Sequence, residues 1–479
     1  MLFNSWAFLW FFIVVWGLYL VLDHRRQNIL LLIASYFFYG SWDWRFTSLL
    51  AGSTLLDYVC GLMIHGSASP RSRRLWLACS IAGNLGILGF FKYYNFFASS
   101  VCDLLSALGF QVQPWTLHIV LPVGISFYTF QTMSYTLDIY RGKMSPTRNF
   151  LDFALYVAFF PQLVAGPIER ACNLLPQIQS RRRLDPEQVK EGIFLVGWGL
   201  FQKIMIADRL GPVVQSVFGN PDGAGTIEVL LSFYAFYIQL YCDFSGYSDI
   251  ARGLAKMMGF ELMLNFRMPF LADRVSDFWS RWHISLTTWV HDYLFISLGG
   301  VRKGSLRGAL NILIAMTVIG LWHGAKWTFV LWGLYFGLLQ AAAVLLRARG
   351  GRSAGRRRRS AGGLSRTFRV FVTFNLIAFG ACLFRAENLA HAGAMFAALF
   401  KGIHWDMNTL GMAIKVAWLA APVFAMQLIQ ERARDPMAFV RLPGLWRFAA
   451  CTAAILVVVA TLFLTADVKG GEEFIYFQF

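Results

Sequence analysis

The stretch that decides the fold runs from Asp273 to Trp332. It opens with DRVSDFWSRWHISLTTWVHDYLFISLGG (residues 273–300) and closes with IGLWHGAKWTFVLW (residues 319–332). His283, His291 and His323 lie within it, three of the chain's eight histidines. The run LNILIAMTVIGLW (residues 310–322) carries no charge before it reaches His323, and GAKWTFVLWG follows. Apolar runs on both sides of His323 place it at membrane depth. An ionisable residue at membrane depth is expensive and is a functional hypothesis by default. Burial favours the neutral imidazole, the form that accepts a proton. Gly324 and Ala325 are expected to leave room beside His323 for a substrate. The alternative is a hydrogen-bonded structural histidine between helices.

Upstream, Val275, Phe278, Trp279, Trp282, Leu286, Trp289, Val290 and Tyr293 recur at helical spacing. They predict one amphipathic helix over 274–293 lying along the membrane interface. His283 falls at the edge of the stripe, where it could point into a cavity or rest solvated at the interface.

The whole composition agrees with a membrane protein. Of 479 residues, 57% are hydrophobic and only 14% charged, against about 25% charged in a soluble domain. The net charge of +17 comes from basic loops that follow the positive-inside rule. No nucleic-acid-binding motif is present, so nucleic acid is not an expected partner. The seven cysteines stand singly, without metal-ligand spacing, and read as small buried hydrophobes. The fold class is therefore an all-α polytopic membrane protein with about 11 to 13 transmembrane or re-entrant segments. Residues 1–479 read as one membrane domain, with 273–332 as its catalytic core.

Along the chain, Trp6–Leu22 reads as a retained first span, since no basic region precedes it. Asp23-His24-Arg25-Arg26 and SPRSRR (69–74) are both basic. Both are expected on the cytoplasmic side, so Asn28–Gly40 and Arg45–Ile64 cross as a hairpin. Leu75–Phe97 and Ile119–Tyr140 read as spans, the second interrupted by Pro122 and Gly124. Leu151–Val164 ends in PQLVAGPIER and reads as broken or re-entrant. Asp185-Pro186 marks a helix start before the Ile193–Ile206 span. RARGGRSAGRRRRSAGG (347–363) reads as a disordered cytoplasmic loop that anchors topology, or contacts anionic lipid. Further spans are Phe368–Phe384, Leu410–Ile429 and Phe448–Leu464.

The long apolar stretch Thr226–Met258 contains YIQLYCDFSGYSDIARG (237–253). Gln239, Asp243 and Gly246 share one helical face, and Asp249 and Arg252 stand three apart. An ion-pair network that orders the core is one reading; a proton path or a donor contact is the other. No nucleophile elbow, phosphate loop or zinc motif appears, so the buried histidine points to base catalysis on a bound hydroxyl.

Several motifs together resemble a known family. FFPQLVAGPIER (159–170), YCDFSGYSDIARG (241–253), the stretch 265–300, GLWHGAKWTFVLWG (320–333), CLFRAENL (382–389) and FIYFQF (474–479) resemble the membrane-bound O-acyltransferase (MBOAT) family. They look closer to its alginate O-acetyltransferase (AlgI-like) branch than to its D-alanyl transfer (DltB-like) branch. The resemblance implies helices ringed around a central funnel or tunnel, with His323 and His283 as the catalytic pair. It also implies acetyl-CoA as a cytoplasmic thioester donor, with no bound cofactor and no metal. Periplasmic acetyltransferase or acyl-acceptor proteins would complete acetylation of an exopolysaccharide such as alginate, from a multi-pass position in the bacterial inner membrane among its lipids. Trp322, Trp327, Trp279, Asp243, Asp249 and Arg281 are candidates for the substrate and donor tunnel. The chain departs from the family pattern at His291, where arginine is usual, and at Ser297, where proline is usual. Arg281, Arg302 or Lys303 are candidates for the phosphate contact that such an arginine would make. Rival readings are D-alanyl transfer from a carrier protein, a proton-coupled transporter through Asp243, Asp249 and His323, and a non-catalytic scaffold for polysaccharide export.

Overall fold

The computed structural model describes residues 1–113, 115–349, 363–442, 444 and 474–475. The arginine-rich stretch from 350 to 362, the apolar segment at 448–464 and residues 476–479 lie outside the described residues.

Among the described residues the secondary structure is helical throughout. Seven of the described helical stretches are long and apolar enough to cross a membrane: Trp44–Gly66, Pro70–Ala107, Thr226–Met257, Ser305–His323, Trp327–Ala348, Ser365–Arg385 and Met407–Ala433. Local signals set their ends. Ser5, Asp23, Asn149, Asn388 and Asp406 each accept a backbone N–H of the first helical turn that follows. Pro70 opens its helix, where the missing N–H does no harm. The structure is thus an all-α, multi-pass membrane protein.

The chain forms two compact units. The first holds residues 1–193 and 251–263. Its helices are α1 (Trp6–Val21), α2 (His24–Gly40), α3 (Thr47–Gly66), α4 (Pro70–Leu88), α5 (Tyr94–Ala107), α6 (Ile125–Tyr140), α7 (Phe150–Ala158), α8 (Ala171–Gln179) and the start of α9 (Pro186–Leu200). Helices α3, α4 and α6 pack on one another around Asp57, which is fully buried. Among the described residues its hydrogen-bond partners are neutral: Ser80 Oγ and Asn84 Nδ2 donate to the carboxyl, and Thr132 completes the set. The segment 119–140 is helical only from Ile125. Gly124 sits at φ +78°, where an added Cβ would meet Leu163 O at 2.9 Å. The segment after Ala158 leaves the helix and turns through residues 159–166, all buried, before α8 begins. Glu169 in this stretch is fully buried and accepts from Asn173 Nδ2 at 2.7 Å and from the Met263 N–H. Arg182 ties the unit's first helices down. Its guanidinium donates to Tyr19 Oη, Gln27 Oε1 and Asn28 Oδ1, and stacks 4.6 Å over Phe260.

The second unit holds residues 194–250 and the chain from 264 onward. Its helices are α10 (Asp208–Phe218), most of α11 (Thr226–Met257), α12 (Val275–Trp279), α13 (Ile284–Val290), α14 (Ser305–His323), α15 (Trp327–Arg349), α16 (Gly363–Arg385), α17 (Leu389–Ala398) and α18 (Met407–Ala433). Helices α14 and α15 form a tight hairpin. A Cβ at Gly320 would lie 2.2 Å from Phe329 O, and one at Gly333 2.4 Å from Met316 O. Small residues at both positions let the two backbones touch, as helices inside a membrane do when packing replaces the hydrophobic drive.

The single interfacial helix expected over 274–293 is not what forms. The stretch splits into α12 and α13 around a turn at residues 280–283, and residues 291–295 widen into a π-turn. The break is at His283, whose backbone is left-handed at φ +43°.

Candidate active site

His323 is the last residue of α14 and is 4% exposed. Aromatic rings enclose it. Trp322, Trp332 and Phe384 stand edge-on with ring centroids 5.1, 5.1 and 5.2 Å away. The sequence predicts room for a substrate beside Gly324, but that space is filled. A Cβ there would lie 2.1 Å from the Phe329 ring, which itself packs on Phe384 at 4.8 Å. Phe329 fills the gap because Gly324 lets it in.

His283 is 1% exposed and sits in the interior, not at the interface. Its ring lies 4.7 Å from Phe244, 5.7 Å from Trp322 and 6.3 Å from His323, centroid to centroid. His283 lies outside the spanning helices. Its burial pushes the imidazole down to about 3, so the ring is neutral at physiological pH.

Asn265 fixes the turn that carries His283. Its carbonyl accepts Ile284 N at 2.9 Å, and its Oδ1 accepts Ser285 Oγ at 2.6 Å. Its Nδ2 donates to Ser248 Oγ of α11 at 3.0 Å. Arg267 N donates to Arg281 O at 2.9 Å, pinning the other side of the turn. These bonds hold a non-glycine residue in a conformation that it would otherwise avoid. Nothing at Asn265 marks it in the sequence, because its partners are distant in the chain.

The structure brings His283, His323 and Trp322 together. Trp279 joins them at one remove, packing on Trp332 at 5.6 Å and Phe336 at 5.3 Å. Trp327, at the start of α15, is 52% exposed. Asp243 turns to an ion pair. Lys203 Nζ lies 2.9 Å from both Asp243 and Asp208, and the Asp243 carboxylate also accepts Ile475 N at 2.7 Å. The Phe474 ring covers the ammonium at 4.5 Å. Lys203 rides on a π-turn, Phe201–Ala207, and was not legible in the sequence: Asp208 stands five residues on, off the regular helical pairing, and Asp243 is 40 residues away. Asp249 accepts from Gln202 Nε2 at 3.1 Å. Arg281 is held by Asp277 at 3.0 Å and Glu431 at 3.2 Å. His291 is exposed and lies 2.9 Å from Asp292, outside the cluster.

His323 and the neutral His283, both enclosed, are the groups in this cluster able to take and relay a proton. Among the described residues no group of three metal-ligating side chains appears.

A family model described as membrane-bound O-acyltransferase matches residues 143–375. A probable alginate O-acetylase of Pseudomonas putida is 38% identical over 508 residues, covering all of both chains. One from Azotobacter vinelandii is 40% identical over 447 residues, covering 91% of this chain and 87% of its own. A peptidoglycan O-acetyltransferase of Helicobacter pylori is 34% identical over 424 residues, covering 82% and 78%.

Proposed function

The chain belongs to the membrane-bound O-acyltransferase family and is an acyltransferase, and from that premise we propose that it O-acetylates an exopolysaccharide such as alginate. The donor is a cytoplasmic thioester, acetyl-CoA. The acetyl group crosses the bacterial inner membrane through this protein to periplasmic acetyltransferase or acceptor proteins. The observation that carries the reading is the pair His323 and His283, buried with rings 6.3 Å apart behind aromatic walls. Relatives named for O-acetyl transfer to two different cell-surface polymers support the acetyl group and a sugar hydroxyl.

In this mechanism His323 takes the proton of the acceptor hydroxyl as its oxygen attacks the thioester carbon. His283, neutral beside it, orients the acceptor or relays the proton. The thioester is already activated, so most of the remaining task is positioning. Trp332, Phe384 and Trp322 exclude water, which would otherwise compete as acceptor.

The test is acetyl transfer from radiolabelled acetyl-CoA by the protein in lipid nanodiscs, with its periplasmic partners and de-acetylated polymer. His323→Ala is expected to lower turnover by about 100-fold or more. Full turnover by a folded His323→Ala protein would overturn the reading. So would label transfer that requires an aminoacyl carrier protein.

A further inference from the structure

Helix α15 begins four residues after His323, and its second residue is Thr328. Thr328 is 0% exposed, and its Oγ1 has no hydrogen-bond partner among the described residues. A buried hydroxyl in a spanning helix normally donates back to the carbonyl four residues earlier. Thr317 on the facing helix does so, to Leu313 O at 2.8 Å. At the first turn of a helix that bond is not available, because residue 324 precedes the helix. The hydroxyl is therefore a donor held in reserve.

Its direction follows from helical phase. Thr328, Trp332 and Phe336 recur every four residues on one buried face of α15, while Trp327, Leu331 and Leu338 are exposed. Trp332 on that face stands edge-on to His323 at 5.1 Å. In the tight α14–α15 hairpin, the first turn of α15 is level with the last turn of α14, where His323 sits. The same turn is the positive end of the α15 dipole, with Phe329 N and Val330 N both directed to Lys326 O.

We infer that Thr328 is a catalytic residue, the hydrogen-bond donor to the carbonyl oxygen of the bound acyl thioester, opposite His323. This rests on the acyl-transfer reading above. As the acceptor oxygen attacks the carbonyl carbon, a C–O bond forms and His323 takes the hydroxyl proton. The carbonyl π pair moves onto oxygen, where the Thr328 O–H and the helix end receive the negative charge. Collapse restores the carbonyl and breaks the C–S bond. The leaving thiolate takes the proton from His323, which returns to neutral.

Thr328→Val keeps the shape and removes the donor. Its kcat for acetyl transfer is expected to fall about 100-fold at unchanged KM, the scale of losing one oxyanion donor. Thr328→Ser is expected to stay within about 3-fold of wild type, since it restores the O–H. A hydroxyl without a structural partner predicts that Thr328→Val melts at or above the wild-type temperature. A second readout does not need turnover. With [1-13C]acetyl-CoA bound to His323→Ala protein, the carbonyl infrared band is expected at lower wavenumber when Thr328 is present. The shift is expected to vanish in the His323→Ala, Thr328→Val double variant. Wild-type kcat and an unmoved band in the valine variants would overturn the inference while leaving the acetyl-transfer reading intact. A Thr328-dependent band in a protein that transfers no acetyl group would sustain the contact and overturn that reading instead.

Discussion

His283 holds φ +43°, a region that asparagine tolerates and most other side chains avoid. Replacing it with alanine therefore changes backbone preference and side chain together, whereas asparagine changes chiefly the side chain. His283→Asn is expected to keep the wild-type melting temperature, while its turnover falls about 10-fold or more for want of the imidazole. Turnover in nanodiscs and a thermal melt check both. The neutral ring also couples folding to pH. Below 6.5 the unfolded chain binds a proton that folded His283 does not bind until about pH 3. Its contribution is thus lost as pH falls through that window, by about 1.4 kcal/mol per pH unit. A His283→Gln protein is expected to lose less stability between pH 6 and pH 4, read by denaturation at each pH. His323 was legible in the sequence because an ionisable residue ends an uncharged apolar run. The conformation of His283 was not, since Asn265 imposes it through hydrogen bonds to residues 19 and 20 positions away.

Among the elements, the apolar runs that form α14 and α15 were the most legible, as membrane segments flanking His323. Their tight pairing was not, because glycines in apolar runs look alike until a partner backbone is placed against them. Gly320→Ala puts a methyl 2.2 Å from Phe329 O, backbone that has no side-chain route to yield. The expected loss is about 1–3 kcal/mol, the range for overpacking, measured as a lowered melting temperature in detergent. Gly86, with nothing within 4 Å of an added Cβ, is the matched control and is expected to be neutral. The 274–293 stripe misled for a related reason. Periodicity records which faces are apolar, and both α12 and α13 bury theirs, but it carries no sign of a turn imposed from outside the segment.

Across the whole molecule, each unit is ordered around a buried polar group that sequence pattern alone does not identify. In the second it is Lys203, 2.9 Å from Asp208 and from Asp243. Lys203→Met strands two carboxylates and is expected to cost about 3–5 kcal/mol. In the first it is Asp57, whose neutral partners fit a protonated carboxyl as well as a charged one. Asp57→Asn is expected to be tolerated, whereas Asp57→Leu leaves the Asn84 donor unmatched and is expected to cost about 1–3 kcal/mol. Expression and melting of the two variants in parallel decide this. The all-α, multi-pass class was readable from composition and span length, because the bilayer leaves few alternatives.

Backbone contact between Gly320 and Gly333 also governs what can move. Two helices interlocked at this distance slide or tilt only together, so the α14–α15 pair carries His323 as one stiff body. Rotamer changes of the surrounding aromatic rings, on the nanosecond scale or slower, are then the cheaper way to admit a substrate. The imidazole stays fixed in space while its walls open and close around it.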